Sequence, residues 1–503
     1  MRGVARKPAA RRFRCVRPSR AVLPALGALA VAGCALAPPL RAPSALRVDC
    51  ATAAVVGLRW SVAAHAPKAL RYQILRDGQP LGTAVDTTFA DTTVAAGTSY
   101  LYTVAARGRA GGGAVSEPLR VATAPASRNG DAPACPSAMI RGATWDWAHG
   151  YRAAEGSDLW PVTWGKDGNT YAFFGDGGGF GGDDHRGRAS FGIARIGGRP
   201  PPTPATEVNV YGGYQALYPS TLSGKASAII AIGSDFYALA GIYRGGDPKS
   251  QNPQPIGGAP SHLELAYSLH DAHSWQDGTW DFCGATDVFC PSGFVQFGPG
   301  YRRAADRYVY LFGTRNEAAD GETYLARVER SQLLSPTAYR YFAGLDGKSE
   351  PIWSAASERM QAIFIDRNAA QPGCAGRCLM TSTLEEAVYD APLERYIGVA
   401  QGDYLAQTSF YEAPHPWGPW TTITYNNIDA ATGSGGWGNL GTAAGGSLGV
   451  HAINAWTSDN GQTLWMVFSS DGTAPPGALF PPPGSKLDAF HLLRVDLQVV
   501  RSR

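Results

Sequence analysis

The stretch SDLWPVTWGKDGNTYAFFGDGGGF, residues 157–180, decides the fold class. Trp160, Val162 and Trp164 alternate along its first half, and residues 171–174 form a second apolar run. The intervening GKDGN has the Gly, Asn and Asp residues that are typical of a tight turn. The stretch therefore predicts a β-hairpin.

Two carboxylates, Asp158 and Asp176, stand at opposite ends of this predicted hairpin. Acids beside Trp-, Phe- and Gly-rich strands suit a propeller that processes carbohydrate. The alternative is structural, because Asp also caps strands and shapes tight turns. Both interpretations stay open for each Asp.

Composition extends the prediction to the whole chain. Its 503 residues include 62 Gly, 13 Trp and 22 Tyr, and long amphipathic helical patterns are hard to find. This length exceeds one ordinary domain and allows sizeable cores. We expect an all-β protein with many short strands.

The first 34 residues predict export. Residues 1–33 contain eight basic residues and no acidic one, and the rest of the chain has 36 basic and 41 acidic residues. A basic start followed by AVLPALGALAVAGC indicates a signal segment, with no nucleic-acid footprint beyond it. VAGC resembles a bacterial lipoprotein cleavage box with Cys34 as its lipidated residue. Ordinary cleavage near residues 35–37 is the alternative. We expect a cell-envelope lipoprotein or a secreted protein, attached to a membrane only through that lipid.

Six cysteines follow Cys34, and export favours disulfides between them. Proximity in sequence favours Cys283–Cys290 and Cys374–Cys378, which leaves Cys50 and Cys135 to tie two domains together. Six cysteines allow fifteen pairings, so the choice rests on proximity alone. The spacings fit a zinc site poorly.

Residues 44–124 predict a small sandwich of strands, because apolar residues alternate between turn signals at short intervals. The segment resembles a fibronectin type III module. Trp60 stands at the core position, RYQILRDG (71–78) is similar to the third strand, and GTSYLYTVAA (97–106) is similar to the sixth. The resemblance implies that the Tyr100 hydroxyl ties back to the preceding loop.

Residues 135–500 show a repeated pattern of strand-rich segments, here called β-blocks. Five such blocks predict a five-bladed β-propeller. Their strand-rich starts lie near Trp160, Ala226, Phe294, Ala362 and Val450.

This region also resembles a family of secreted bacterial proteins known as a domain of unknown function, some members of which cleave arabinan. The similar stretches are SDLWPVTW (157–164), FFGDGGGF (173–180), RYVYLFGT (307–314), TYLARVER (323–330) and EAPHPWGPWTTITY (412–425). The resemblance implies a five-bladed propeller with a glycan-facing central cleft, and possible glycoside hydrolase chemistry.

Glycoside hydrolysis commonly uses two carboxyl groups that flank the scissile bond. Asp158 is the leading candidate because it begins the first inner strand. Glu412 is its predicted partner because it precedes a Pro- and Trp-rich loop suited to a sugar. Asp176 is a third candidate that tunes a neighbour or holds a hydroxyl. The alternative for Glu412 is a structural role.

Substrate contacts are predicted for Trp160, Lys225, Arg315 and Trp417. Lys225 begins the second block, where it meets an anionic group or Asp158, or is simply solvated. Trp417 stacks on a sugar or only packs between blades.

No cofactor is expected, because no Walker loop, Rossmann fingerprint or H-E-x-x-H motif occurs. No metal site is predicted either, because the acids of GGDDHRG (181–187) lack calcium-loop spacing. Whether the chain is an enzyme stays open. The leading hypothesis is a glycoside hydrolase that acts on an extracellular polysaccharide such as an arabinan. The alternative is a non-catalytic protein that binds carbohydrate at the cell surface.

Overall fold

The computed structural model describes residues 41–62, 71–108, 111–125, 132–200, 206–242, 263–278, 280, 282–283, 288–315, 321–346, 350–366, 383–402, 407–425, 447–470, 472–474, 476 and 478–500. These residues contain β-strands and short 3-10 turns but no α-helix. The protein is therefore all-β, as its composition predicts. The predicted signal segment, residues 1–34, and the cysteines Cys374 and Cys378 lie outside the described residues.

The first eight strands form two sheets. One sheet has the order β1-β2-β5, and the other has the order β4-β3-β6-β7 with β8 also paired to β6. The strands are β1 (Ser44–Ala51), β2 (Val56–Ser61), β3 (Arg71–Arg76), β4 (Gln79–Ala84), β5 (Thr88–Asp91), β6 (Ser99–Gly108), β7 (Gly111–Val115) and β8 (Leu119–Ala122).

Trp60 lies in the core between these two sheets, as the sequence predicts. It is 2% exposed and packs edge-on against Tyr72, with 5.2 Å between ring centroids. The backbone amide of Ala95 donates a hydrogen bond of 2.8 Å to the Tyr100 hydroxyl. This is the predicted tie between Tyr100 and the preceding loop.

Two of the predicted disulfides are present. Cys283 bonds to Cys290, and Cys50 bonds to Cys135 across 85 residues of sequence. Cys50 belongs to β1, and the Cys135 carbonyl accepts a hydrogen bond from Thr422. The second disulfide therefore fastens the eight-strand segment to the strands that follow it.

Beyond β8 the described strands form four sheets, in the orders β11-β12-β13-β14, β15-β16-β17, β22-β21-β20-β19-β18-β24-β25-β26-β27 and β10-β30-β29-β28, with β23 also paired to β20 and β9 to β30. The parallel pairing of β18 with β24 divides the ten-stranded sheet into two antiparallel parts. These two parts and the other three sheets are called the five sheets below, in chain order. The first three sheets contain β11 (Asp158–Trp164), β12 (Thr170–Gly175), β13 (Gly192–Ile196), β14 (Glu207–Tyr211), β15 (Gly224–Ile232), β16 (Asp235–Ile242), β17 (Leu263–Ser268), β18 (Phe289–Gln296), β19 (Tyr308–Arg315), β20 (Glu322–Glu329), β21 (Arg340–Leu345) and β22 (Pro351–Ser354). The remaining strands are β9 (Ile140–Trp145), β10 (Tyr151–Ala153), β23 (Phe364–Ile365), β24 (Thr383–Asp390), β25 (Arg395–Gly402), β26 (Gln407–Ala413), β27 (Thr421–Thr424), β28 (Ser447–Ala452), β29 (Thr463–Ser470) and β30 (Phe490–Val499).

The first strands of the five sheets contact one another in a closed sequence. β11 contacts β15, β15 contacts β18, β18 contacts β24, β24 contacts β28, and β28 contacts β11. β18 and β24 also pair in parallel, with Val295 opposite Ala387. These five first strands are called the inner strands below.

A buried side-chain amide links three of the inner strands. Gln296 donates to the carbonyls of Val162 (3.2 Å) and Ile229 (2.9 Å), and its own oxygen accepts from the Thr163 hydroxyl (2.9 Å). The Thr163 hydroxyl in turn accepts from the Ala231 amide (3.0 Å). Because Gln296 is 5% exposed, these bonds satisfy polar groups that would otherwise be buried without partners.

The fifth sheet is completed by strands that precede the first sheet in sequence. Both β9 and β10 pair with β30, in registers that place Trp145 opposite Val495 and Ala153 opposite Phe490. The two ends of the five-sheet segment therefore meet in one sheet, which protects the edge of β30.

Four of the five predicted block starts fall within inner strands, namely β11, β15, β18 and β28. The prediction near Ala362 is wrong, because the fourth inner strand begins at Thr383. Ala362 precedes the short β23, which pairs with β20 of the third sheet. The apolar residues near Ala362 lead into β23, which is added to the third sheet and does not begin a new block.

The predicted hairpin is present as β11 and β12, joined by residues 165–169. Its two carboxylates do not lie at opposite ends, however. Asp158 faces Gly175, the residue before Asp176, because the strands are antiparallel. Both acids therefore lie at the open end of the hairpin.

No helix among the described residues is long and apolar enough to cross a membrane.

A buried histidine predicts acid sensitivity. His491 is fully buried against Phe468, and burial lowers its pKa to about 3. Between about pH 6.5 and 3 the unfolded chain therefore binds a proton that the folded chain does not. As the pH falls through that window, the free energy of unfolding should therefore decrease by about 1.4 kcal/mol per pH unit. Urea unfolding at pH 7 and pH 5 should show a smaller difference for His491→Met than for the native protein. His149→Met, whose parent side chain is 81% exposed, is the control and should not change the difference. An unchanged difference in His491→Met would contradict the assignment.

Candidate functional site

Asp158 and Asp176 are neighbours at the open end of the β11–β12 hairpin. The Cα atoms of facing residues in an antiparallel pair lie about 5 Å apart, and consecutive Cα atoms lie about 3.8 Å apart. The Cα atoms of the two acids are therefore no more than about 9 Å apart, since Asp158 faces Gly175. Acids whose Cα atoms lie this close together can contribute their side chains to one site.

The backbone on both sides of the acids is left-handed. Leu159 has φ 75°, Trp160 has φ 61° and Asp176 has φ 62°. This region is unfavourable for residues other than Gly, and such strain concentrates at functional sites. The two hairpin strands also change register between Leu159 and Val162. The bulge is stabilised by the Leu159 amide, which donates to the Ser469 hydroxyl at 2.9 Å.

Asp176 lies between two cations. Lys225, the second residue of β15, forms an ion pair with its Oδ2, and Arg188 Nη2 lies 3.6 Å from its Oδ1. Lys225 therefore lies beside an acid of the chain, Asp176.

Arg188 was not predicted as part of the site. Burial lowers its pKa, and the negative charges of Asp184, Asp488 and Asp158 oppose that change. Arg188 thus lies among acids that come from three separate parts of the chain. It follows a Gly-rich loop without strand periodicity, so no sequence signal distinguishes it.

The Gly-rich loop packs tightly beneath the two acids. A Cβ on Gly177 would lie 2.1 Å from the Gly156 carbonyl oxygen, and a Cβ on Gly178 would lie 2.1 Å from the Arg186 carbonyl oxygen. Only Gly fits at these two positions. Their role is to let the loop that carries Arg188 return beside Asp176.

Two residues that were not predicted as part of the site form a buried pair on the fourth and fifth inner strands. His451 Nδ1 lies 3.0 Å from Glu386 Oε2, and Glu386 Oε1 accepts from the Ala452 amide at 2.7 Å. A Cβ on Gly449 would approach both His451 Nε2 and the Leu159 carbonyl, so this pair lies close to β11. No local sequence pattern predicts this pair, because Glu386 and His451 are 65 residues apart.

Trp160 is not available to a substrate. It is fully buried between Phe174 and Phe490, and its indole nitrogen donates to the Ser157 carbonyl at 2.9 Å. The left-handed bulge turns this side chain into the core. The predicted substrate contact is therefore corrected to a packing role.

Glu412 is not brought to Asp158. It lies near the end of β26, the third strand of its sheet, at the level of Ile397 on β25. Ile397 lies opposite Val388 on β24, and Val388 pairs with Gln296 on β18. Val388 and Gln296 are both near the last residues of their inner strands, far from the first residues. Asp158, by contrast, begins an inner strand. An aromatic pattern identifies a strand but not its place in the sheet.

The partners of Glu412 indicate a structural role. It is 6% exposed, it pairs with Arg395 at 3.1 Å, and it accepts from the hydroxyls of Ser137 (2.7 Å) and Thr421 (2.8 Å). Because Ser137 precedes β9, these bonds connect the fourth sheet to the segment that completes the fifth.

The contacts of Arg315 and Trp417 are with residues other than the two acids. Arg315 ends β19, where it donates to the Met360 carbonyl at 3.0 Å and lies over the Tyr324 ring. Trp417 stacks on His415 with 5.0 Å between ring centroids, in the loop from β26 to β27. Arg315 thus belongs to the strand beside the inner strand β18, and Trp417 to a loop between the third and fourth strands of its sheet.

The acids of GGDDHRG have local partners. Asp183 accepts from the amides of His185 (2.9 Å) and Arg186 (2.7 Å), and Asp184 forms an ion pair with Lys486. Among the described residues, no group of three or more His, Cys, Asp or Glu is arranged to hold a metal ion.

No protein-family model matches the chain, and no curated protein matches it. Among solved structures, a fibronectin type III domain of human fibronectin type III domain containing protein 3 is 19% identical, with 19% of this chain and 96% of that chain covered and a TM-score of 0.18. The fibronectin type III domain of human collagen XX is 24% identical, with 18% and 100% covered and a TM-score of 0.15. A family 28 exopolygalacturonase of Yersinia enterocolitica is 22% identical, with 17% and 20% covered and a TM-score of 0.16. The match spans only a fifth of that enzyme, and likenesses of this extent do not bear on function.

Replacing Glu412 tests its structural role. Glu412→Gln removes the charge opposite Arg395 within a buried hydrogen-bond network, and we expect the free energy of unfolding to fall by about 1–3 kcal/mol. Glu358→Gln, at an exposed position, is the control and should change it by less than about 0.5 kcal/mol. Urea unfolding measures both. Equal stability of the two variants would argue against the structural role.

Proposed function

We propose that the five sheets form a five-bladed β-propeller that hydrolyses glycosidic bonds of an extracellular polysaccharide with Asp158 and Asp176. The observation that carries this proposal is the meeting of these two acids with Lys225 and Arg188 at the beginnings of two inner strands. Glu412 has no part in the reaction.

Two features support the propeller. The inner strands contact one another from the first sheet to the fifth and back to the first. The last sheet is completed by β9 and β10, which precede the first sheet in the chain. Radial blades closed in this way expose only short edges. A propeller also aims residues from different blades at one central cleft, as Asp158 and Lys225 require.

The charges assign different tasks to the two acids. Asp176 forms ion pairs with Lys225 and Arg188, and we assign it as the carboxylate that attacks the anomeric carbon or activates water. Asp158 is the general acid that protonates the leaving oxygen. Arg188 lies near both acids and orients them. The strained backbone at residues 159, 160 and 176 fixes the direction of the two side chains.

The resemblance to arabinan-cleaving proteins makes arabinan the first substrate to test. Export fits this role, because polysaccharides of that kind lie outside the cell, and disulfides such as Cys50–Cys135 are typical of oxidising compartments. We further propose that a lipid on Cys34 holds the protein at the cell envelope.

The decisive experiment incubates the protein with bacterial and plant polysaccharides, including arabinans, and measures new reducing ends. Asp158→Asn and Asp176→Asn should each lower the rate by about 100-fold or more, because each removes one of two proton-transfer or attacking groups. Asp167→Asn is the matched control, because Asp167 lies in the turn at the other end of the same hairpin, where it accepts from Asn169 and Tyr171.

Retained activity in either site variant would refute the assignment of that residue. Binding of a polysaccharide without any cleavage by the native protein would instead favour a non-catalytic carbohydrate-binding protein.

A further inference from the structure

A cavity of about 520 Å³ lies at the other ends of the inner strands. It is lined by Trp164 at the end of β11, Tyr389 near the end of β24, Arg303 after β18, and Asn454, Thr457 and Asp459 after β28. Asp158 and Trp164 are six positions apart on β11, which corresponds to at most roughly 20 Å. The cavity is therefore distinct from the candidate active site, and its volume suits a small ligand.

Several buried polar atoms at this cavity lack partners. Asn454 is 6% exposed; its amide nitrogen donates to the Tyr389 carbonyl, and its Oδ1 accepts no hydrogen bond. The indole nitrogen of Trp164 and the hydroxyl of Thr457 are also buried without partners. The residues that line the cavity thus include an acceptor, a donor and a hydroxyl that are buried without partners, and buried groups of this kind are normally satisfied.

The rim of the cavity carries one charge of each sign. The Arg303 guanidinium lies over the Trp164 ring at 5.1 Å, and Asp459 is exposed. In the part of the chain that the structure describes, neither group forms a hydrogen bond or ion pair through its side chain. An anionic ligand would pair with Arg303 but face Asp459, and a cationic ligand would do the reverse. A neutral hydroxyl suits both, because it donates to Asp459 and accepts from Arg303.

We infer that this cavity is a second carbohydrate-binding site, and that it binds a neutral sugar. Hydroxyl groups of the sugar donate to Asn454 Oδ1 and accept from Trp164 Nε1 and Arg303. Tyr389 and Trp164 supply the aromatic surface that sugar rings contact. The site holds carbohydrate without cleaving it, at the opposite ends of the inner strands from Asp158.

The test uses the full protein with Asp158→Asn and Asp176→Asn, so that no probe is cleaved. Isothermal titration measures the affinity for two neutral sugars, arabinotriose and cellotriose, for the anionic trigalacturonate and for the cationic glucosamine trimer. At least one neutral sugar should bind most tightly. Arg303→Gln and Asn454→Leu should each weaken that binding by about tenfold or more, equivalent to about 1.4 kcal/mol.

Arg302→Gln is the matched control. Arg302 is the exposed neighbour of Arg303, but it donates to the Pro299 carbonyl and is not part of the cavity lining. It should leave the affinity unchanged. Thermal unfolding establishes that each variant is folded, and Arg303→Gln, at an exposed position, decides the test if Asn454→Leu does not fold.

Three results would overturn the inference: no binding of either neutral sugar, tightest binding of a charged trimer, or equal affinity in Arg303→Gln and its parent. This inference does not depend on catalysis. If sugar binding does not depend on Arg303 but the native protein cleaves polysaccharide, only the second site is refuted. Arg303-dependent binding in a protein that cleaves nothing would refute the proposed hydrolysis alone.

Discussion

The hydrogen bonds of Gln296 are the constraint on which the arrangement of the inner strands depends. Apolar packing between sheets is strong but non-directional, so it does not by itself fix how far one inner strand slides along the next. The Gln296 amide satisfies carbonyls on β11 and β15, and Thr163 completes the network. A shift by one residue would leave these buried groups unpaired, at a cost of about 1–3 kcal/mol each.

The fixed register has a direct effect at the candidate active site. Lys225 belongs to β15 and Asp176 follows β12, so their ion pair forms only if β15 lies at the correct height beside the hairpin. The buried amide is near the end of β11, and the two acids are at its start. Polar bonds at one end of the inner strands thereby position charges at the other end.

Local patterns in the sequence predicted the parts of the fold that depend on neighbouring residues. The β11–β12 hairpin and its turn follow from alternation and turn residues. The Trp60 core position and the Tyr100 hydrogen bond follow from the resemblance to a fibronectin type III module. Lys225 was identified because it begins a strand. Arg188 was not, because the loop that carries it reaches the site only by tight Gly packing.

The errors have a common physical origin. Periodicity indicates that residues 407–413 form a strand, but not that β25 separates this strand from the inner strand β24, so Glu412 was assigned to the cleft. Trp160 was assigned to the substrate because alternation assumes an extended backbone, which the left-handed bulge interrupts. The Glu386–His451 pair joins two sheets and has no local signal.

The bond between Cys50 and Cys135 determines how the protein would carry a mechanical load. A pull on the segment before Cys50 passes through the two sulfur atoms directly to Cys135 and then to β9. Strands β2 to β8 lie inside the covalent loop and outside the path of the force. Without the bond, 85 residues could extend by roughly 300 Å before the load reached β9. With it, strands β2 to β8 form a side branch that the load bypasses, because the disulfide joins β1 directly to the segment that leads into β9.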